Sequence, residues 1–251
     1  MKRNLRLVVL AAVLVVAATG AGLWWFLRDD APDAVALSTA VESVEDGEAG
    51  RSDDPATGTA GTEDVGGIEG TWAVDSTTGD FDFEKATGTF AGFRIAENLA
   101  GIGSTTAVGR TGDVEGSISI EGTTLTDASF QVDVTGITTN ESRRDDKVQQ
   151  ALESGRFPTA AFELTEPVEL GAGAADGGPV AVTATGGLTI HGVTRVVEID
   201  LEAQLVDDTI VVVGSIDLTF SDFDVEVPES QLVLSVEDHG VMEVQLLLVR
   251  R

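Results

Sequence analysis

The chain has 251 residues, 43 acidic against 15 basic, and a formal net charge of −28. Such a balance repels phosphate backbones and anionic bilayers alike, so nucleic acid is excluded as a partner class. Cysteine is absent, which removes a disulfide framework, a thiolate zinc site and a cysteine nucleophile from consideration.

At the amino end Lys2, Arg3 and Arg6 precede an unbroken apolar run, residues 7–27, closed by Arg28, Asp29 and Asp30. As a helix that run is about 31 Å long, the thickness of a bilayer's hydrocarbon core. Basic residues before it and acids after it predict a single-pass anchor, residues 1–28, with everything beyond it outside the cytoplasmic membrane. Val16-Ala17-Ala18 and Thr19-Gly20-Ala21 also offer small-residue cleavage sites, and cleavage there would make the protein secreted. Residues 29–70 are rich in Ala, Gly, Ser, Thr, Asp and Glu and contain no aromatic residue. They are expected to form a disordered acidic tether, without fixed structure before about Ile68.

From Thr71 the pattern has period two. Val197, Ile199, Leu201, Ala203 and Leu205 alternate with Glu198, Asp200, Glu202 and Gln204, as in a strand with one buried and one wet face. Asp207-Asp208 then predicts a tight hairpin into a strand with Ile210, Val212, Ile216, Leu218 and Phe220 on one face. The same alternation recurs at Ile118 and Ile120, at Phe130, Val132 and Val134, at Val182, Ala184, Leu188 and Ile190, and from Met242 to Leu248. One segment departs from it: Val148 and Leu152 are four apart between Asp145, a candidate cap, and Gly155, a candidate stop, which predicts one short helix over 145–154. Pro158 permits a strand through Ala160, Phe162 and Leu164. Many strands that are apolar on one face imply a two-sheet sandwich or a closed barrel, and periodicity leaves both open.

Few residues offer chemistry. His191 and His239 each precede a glycine, as in turns, and have no metal-ligand spacing. No Gly-x-Ser-x-Gly elbow surrounds a serine, and paired acids such as Asp145-Asp146 read as solvated faces or caps. Arg143-Arg144 would either hold an anionic head group or pair with nearby acids. The glycines at 101, 103, 109 and 112 form no dinucleotide fingerprint and suggest a loop at a sheet end.

Several strings together resemble one family, the YceI-like lipid and polyisoprenoid-binding domains. They are Thr71-Trp72-Ala73-Val74-Asp75, Phe90-Ala91-Gly92-Phe93-Arg94, Thr138-Thr139-Asn140 with Arg144-Asp145, Arg156-Phe157-Pro158-Thr159-Ala160-Ala161-Phe162, and Gly187-Leu188-Thr189-Ile190-His191-Gly192-Val193-Thr194. The resemblance covers residues 71–249. The chain departs from the family pattern at Asp146-Lys147-Val148, where a histidine is often found, and at Ser221-Asp222-Phe223, which lacks a preceding arginine.

The resemblance implies an all-β fold for residues 71–251, an extended antiparallel lipocalin-like β-barrel with one short helix, set behind the single N-terminal transmembrane helix. It also implies a non-catalytic role: binding, sequestration or transport of an isoprenoid or other long-chain lipid in the lumen, with no cofactor and no metal. The inward residues expected to touch the lipid are Phe130, Val132, Phe162, Leu188, Ile190, Ile199, Leu201, Val212 and Phe220. The alternative is a cell-surface protein-interaction module with a filled core and no ligand. The sequence leaves the oligomeric state open, a homodimer included.

Overall fold

The computed structural model of the protein describes residues 31–49, 67–79, 81, 83–84, 87–99, 103–226, 233–236 and 238–251. The expected anchor, residues 1–28, and much of the expected tether lie outside the described residues. Among the described residues no helix is long and apolar enough to cross a membrane.

In chain order the elements are α1 (Leu37–Ala49), β1 (Gly70–Val74), β2 (Phe90–Leu99), β3 (Gly103–Thr111), β4 (Val114–Glu121), β5 (Thr124–Asp133) and β6 (Thr138–Thr139). There follow α2 (Ser142–Ala151), β7 (Thr159–Leu164), β8 (Val168–Glu169), α3 (Ala172–Ala175), β9 (Val180–Ile190), β10 (Val193–Val206), β11 (Thr209–Thr219), β12 (Val233–Val236) and β13 (His239–Arg250). Strands β1, β4, β5, β7, β9, β10, β11 and β13 pair in that order, and β13 pairs back onto β1. The result is a closed antiparallel barrel of eight strands. Closure removes the unpaired edges that a sandwich would keep, and it settles the choice between sandwich and barrel.

The seam lies along β13. Its last residues pair with β1, Leu248 opposite Val74, while its first residues pair with β2, Val241 opposite Arg94. At the changeover the Leu247 carbonyl accepts from the Asp75 N–H at 2.8 Å, and the Leu247 N–H donates to Thr89 Oγ1 at 3.0 Å. Strand β2 continues into β3 and β6 as a flap off the ring. The glycines of the expected loop around 101–112 therefore include a strand. Gly109 sits in β3 beneath Phe93, where a Cβ would come 2.4 Å from the ring.

The predicted hairpin between β10 and β11 is present, with Val206 opposite Thr209 and Asp207 at φ 51°, a left-handed value that Asp tolerates in tight turns. The predicted helix is shifted three residues toward the amino end. Asp145 does not cap it; its carboxylate accepts instead from the Thr139 N–H and hydroxyl at 2.9 and 2.7 Å, tying α2 to β6. The helix ends where Glu153 turns left-handed at φ 43°, before Gly155. Strand β11 stops short of Phe220 because the Phe220 N–H donates to the Asp238 carbonyl, while the Ser221 hydroxyl donates to the Asp238 carboxylate at 2.6 Å. Residues Phe220–Phe223 consequently form a 3-10 turn.

The expectation of no fixed structure before Ile68 is corrected for residues 31–49. Val211, Val213 and Leu247 point outward from the barrel and are nearly fully buried because α1 lays Ala40 and Val44 across them. The strap before α1 is held by ions. Glu243, 1% exposed, receives Arg94 at 2.8 Å and Arg110 at 2.8 Å. The same guanidiniums donate to the carbonyls of Pro32 and Asp33. A carboxylate buried this far needs such partners, since an unpaired ion in the interior is costly.

Candidate functional site: an apolar lumen

The inward positions of β4, β5, β7, β9, β10, β11 and β13 surround a cavity of about 160 Å³. Gln204 is the only polar side chain among the described residues that line it. Alternation explains the chemistry, because every second residue of a barrel strand faces the lumen and here those residues are Ile, Val, Leu, Ala and Phe. Small residues thin the wall in places. Gly116 lies opposite Phe130 on the neighbouring strand, and a Cβ there would meet that ring at 2.4 Å; a Cβ at Gly186 would meet the Phe162 ring at 2.3 Å. The two rings thus lean over glycines along the wall, and they are adjacent, since Phe130 is directly opposite Phe162.

Of the nine residues expected to touch a lipid, Phe130, Val132, Phe162, Leu188, Ile199, Leu201 and Val212 line the cavity. Ile190 and Phe220 do not. They pack with Leu188, Leu218, Phe223 and Val225 in a cluster that stoppers the end of the barrel where β9 finishes. At the opposite end the wall is completed by Ile68, Leu170, Ala174 and Leu205. These residues lay outside the expected set: Ile68 precedes the first strand, and Ala174 sits in a glycine-rich stretch that reads as a turn.

The polar candidates lie outside the lumen lining. Arg144 donates to Glu97 at 2.7 Å and to Asn140 at 2.7 Å, so its charge is spent within the flap, while Arg143 is exposed. His191 occupies the β9–β10 turn at φ 53°, with its ring edge-on to Phe157 at 4.6 Å and Nε2 3.8 Å from Glu153. His239 opens β13 on the surface. Among the described residues no group of His, Asp and Glu is placed to hold a metal. Two carboxylates lie below their ordinary pKa. Partial burial raises that of Asp75, but hydrogen bonds from the side chains and backbone of Thr77 and Thr78 outweigh it. Asp133 is lowered by the Thr135 hydroxyl and N–H. Asp75 follows β1 and Asp133 ends β5, and neither lines the lumen.

A family model described as the YceI-like domain matches residues 72–248. A UPF0312 protein of Vibrio parahaemolyticus is 29% identical over 143 residues, which cover 52% of this chain and 71% of that protein. Among solved structures, a polyisoprenoid binding domain from Saccharophagus degradans, described as implicated in plant cell wall breakdown, superposes with a TM-score of 0.53 at 17% identity, covering 73% of this chain and 100% of that one. BcnA of Burkholderia cenocepacia gives a TM-score of 0.49 at 16% identity, covering 62% of this chain and 95% of its own.

Proposed function

The chain belongs to the YceI-like domain family, and from that premise we propose that it binds an isoprenoid or another long-chain lipid in the barrel lumen and does no covalent chemistry on it. The observation that carries this reading is the lining: among the described residues 31 surround the cavity and none of these is charged. Such a wall favours burial of methylene and methyl groups, worth about 0.8 kcal/mol for each CH₂ removed from water before ordering costs. The description of the Saccharophagus domain as polyisoprenoid binding supports the same ligand class. We further propose that residues 1–28 anchor the barrel to the cytoplasmic membrane, with the barrel outside the cytoplasm.

A cavity of about 160 Å³ falls below the roughly 300–1,000 Å³ of ordinary ligand pockets. This favours, as the rival, an interaction module with a filled core. Organic extraction and mass analysis of the natively expressed full-length protein separates the two, alongside uptake of a fluorescent prenyl probe. Recovery of a stoichiometric long-chain lipid, or saturable uptake of the probe, is expected. A lipid-free extract together with no uptake would leave the interaction module standing.

A further inference from the structure

The disparity between a small cavity and a long ligand directs attention to how the lumen opens. Residues 171–178 read Gly-Ala-Gly-Ala-Ala-Asp-Gly-Gly and cross the end of the barrel opposite the Leu188–Phe223 stopper. Their one buried side chain is Ala174, 4% exposed, whose methyl lines the cavity. The hydrogen bonds of this stretch are internal: Ala174 N–H to the Gly171 carbonyl, Asp176 to Gly173, Gly177 to Ala174 and Gly178 to Gly173, at 3.0 to 3.3 Å. Among the described residues none joins it to a barrel strand; the preceding residue, Leu170, donates to Thr123 and marks where attachment ends.

Glycines sit at both ends of the stretch in conformations that L-residues resist. Gly171 has φ 81° and ψ 162°, and Gly177 has φ 75°; the former combination is essentially open to glycine alone. A Cβ would meet nothing within 4 Å at Gly171 or Gly173, and at Gly177 it would reach the Leu205 carbonyl at 3.5 Å, an ordinary contact, so the segment is not wedged in place. A unit that satisfies its own backbone, contributes one methyl to the core and is flanked by glycines can swing without breaking a strand-to-strand bond.

We propose that residues 171–178 are a hinged lid, and that apolar chains pass into and out of the lumen beneath it. The passage of chains rests on the lipid-binding reading above; the lid motion does not. The opposite end is unsuited to the task, since Leu188, Leu218, Phe223 and Val225 would all have to leave a packed cluster.

The absence of native cysteine makes the test clean. Ala174→Cys and Ala184→Cys are made singly in the full-length protein and treated with a maleimide on a polymer too large to enter the lumen. Ala184 is 1% exposed on the barrel wall, so its cysteine reports opening of the barrel itself. The lid predicts at least tenfold faster labelling at position 174; equal rates overturn it. Adding Gly177→Ala, which disfavours the closed hinge, is expected to speed labelling at 174 at least threefold and leave 184 unchanged, and no acceleration at 174 overturns the hinge. Should Ala174→Cys loosen the lid artificially, hydrogen exchange on the unaltered chain decides, with the Gly177 amide expected to exchange at least a hundredfold faster than that of Leu201. If the unaltered protein takes up no dansyl-farnesyl probe, lipid binding fails while the labelling result still judges the lid. If it takes up the probe no more slowly than the Gly177→Ala variant, the lid is not the route.

Discussion

Two short helical segments lie across this barrel, and they are attached in opposite ways. Residues 31–49 bring α1 against the outside wall, where Ala40 and Val44 cover Val211, Val213 and Leu247, and the carbonyls of the strap before it accept from Arg94 and Arg110, which are paired to Glu243. Residues 171–178 bring α3 over one end of the lumen and offer it a single methyl. Both segments lie beside apolar barrel residues, yet one is fastened by buried charge and interlocking side chains and the other is held by little. Attachment strength follows side-chain size and pairing, and a helix as short as α3 gains no stability from its own hydrogen bonds in isolation.

The largest effect that would break this contrast is expected from Glu243→Ala. It leaves Arg94 and Arg110 facing each other without their carboxylate, and loss of one partner from a buried ion cluster costs about 3–5 kcal/mol. Urea denaturation of the full-length variant measures it; a loss below about 1 kcal/mol would mean that the strap is only a surface pairing. Val44→Ala removes two buried methyl-sized groups, and at about 0.8 kcal/mol each should cost near 1.6 kcal/mol, with the strap newly open to limited proteolysis.

Ala174→Gly should move the global unfolding midpoint little, by less than about 1 kcal/mol, while speeding hydrogen exchange within 171–178. A large global loss would instead show the lid to be part of the cooperative core. The smallest effect concerns pH. Asp75, beside the β1–β13 seam, has a folded-state pKa below its ordinary value. Its contribution is therefore complete above the unfolded pKa and is lost as pH falls through the lowered folded value. Asp75→Asn should flatten that part of the acid limb in pH-dependent thermal melts without altering labelling at the lid.

Much of the barrel was legible because a strand with one wet face announces itself, as β10 does through Val197 to Leu205. What escaped was burial on two faces. Val211-Val212-Val213 and Leu246-Leu247-Leu248 are continuous apolar runs, so alternate members face the lumen while their neighbours need a cover outside. That cover came from a segment whose composition reads as a tether. Phe220 departs from the expected inward strand position for a different reason: Asp238, eighteen residues later, captures its N–H and the Ser221 hydroxyl, a contact that no local pattern encodes. Seven of the nine expected lumen residues reached the cavity wall because inward alternation is a local property. Ala174 could not be foreseen, since an alanine among glycines carries no signal of what lies beneath it.

The docked strap also sets where the amino-terminal part of the described chain meets the barrel. It meets β13 at Glu243, near that strand's start, whereas Ala174 of the lid belongs to the same core cluster as Leu248, near its finish. With Pro32 held by Arg94, which lies opposite Val241 of β13, the strap runs along the barrel nearer the stoppered end than the lid.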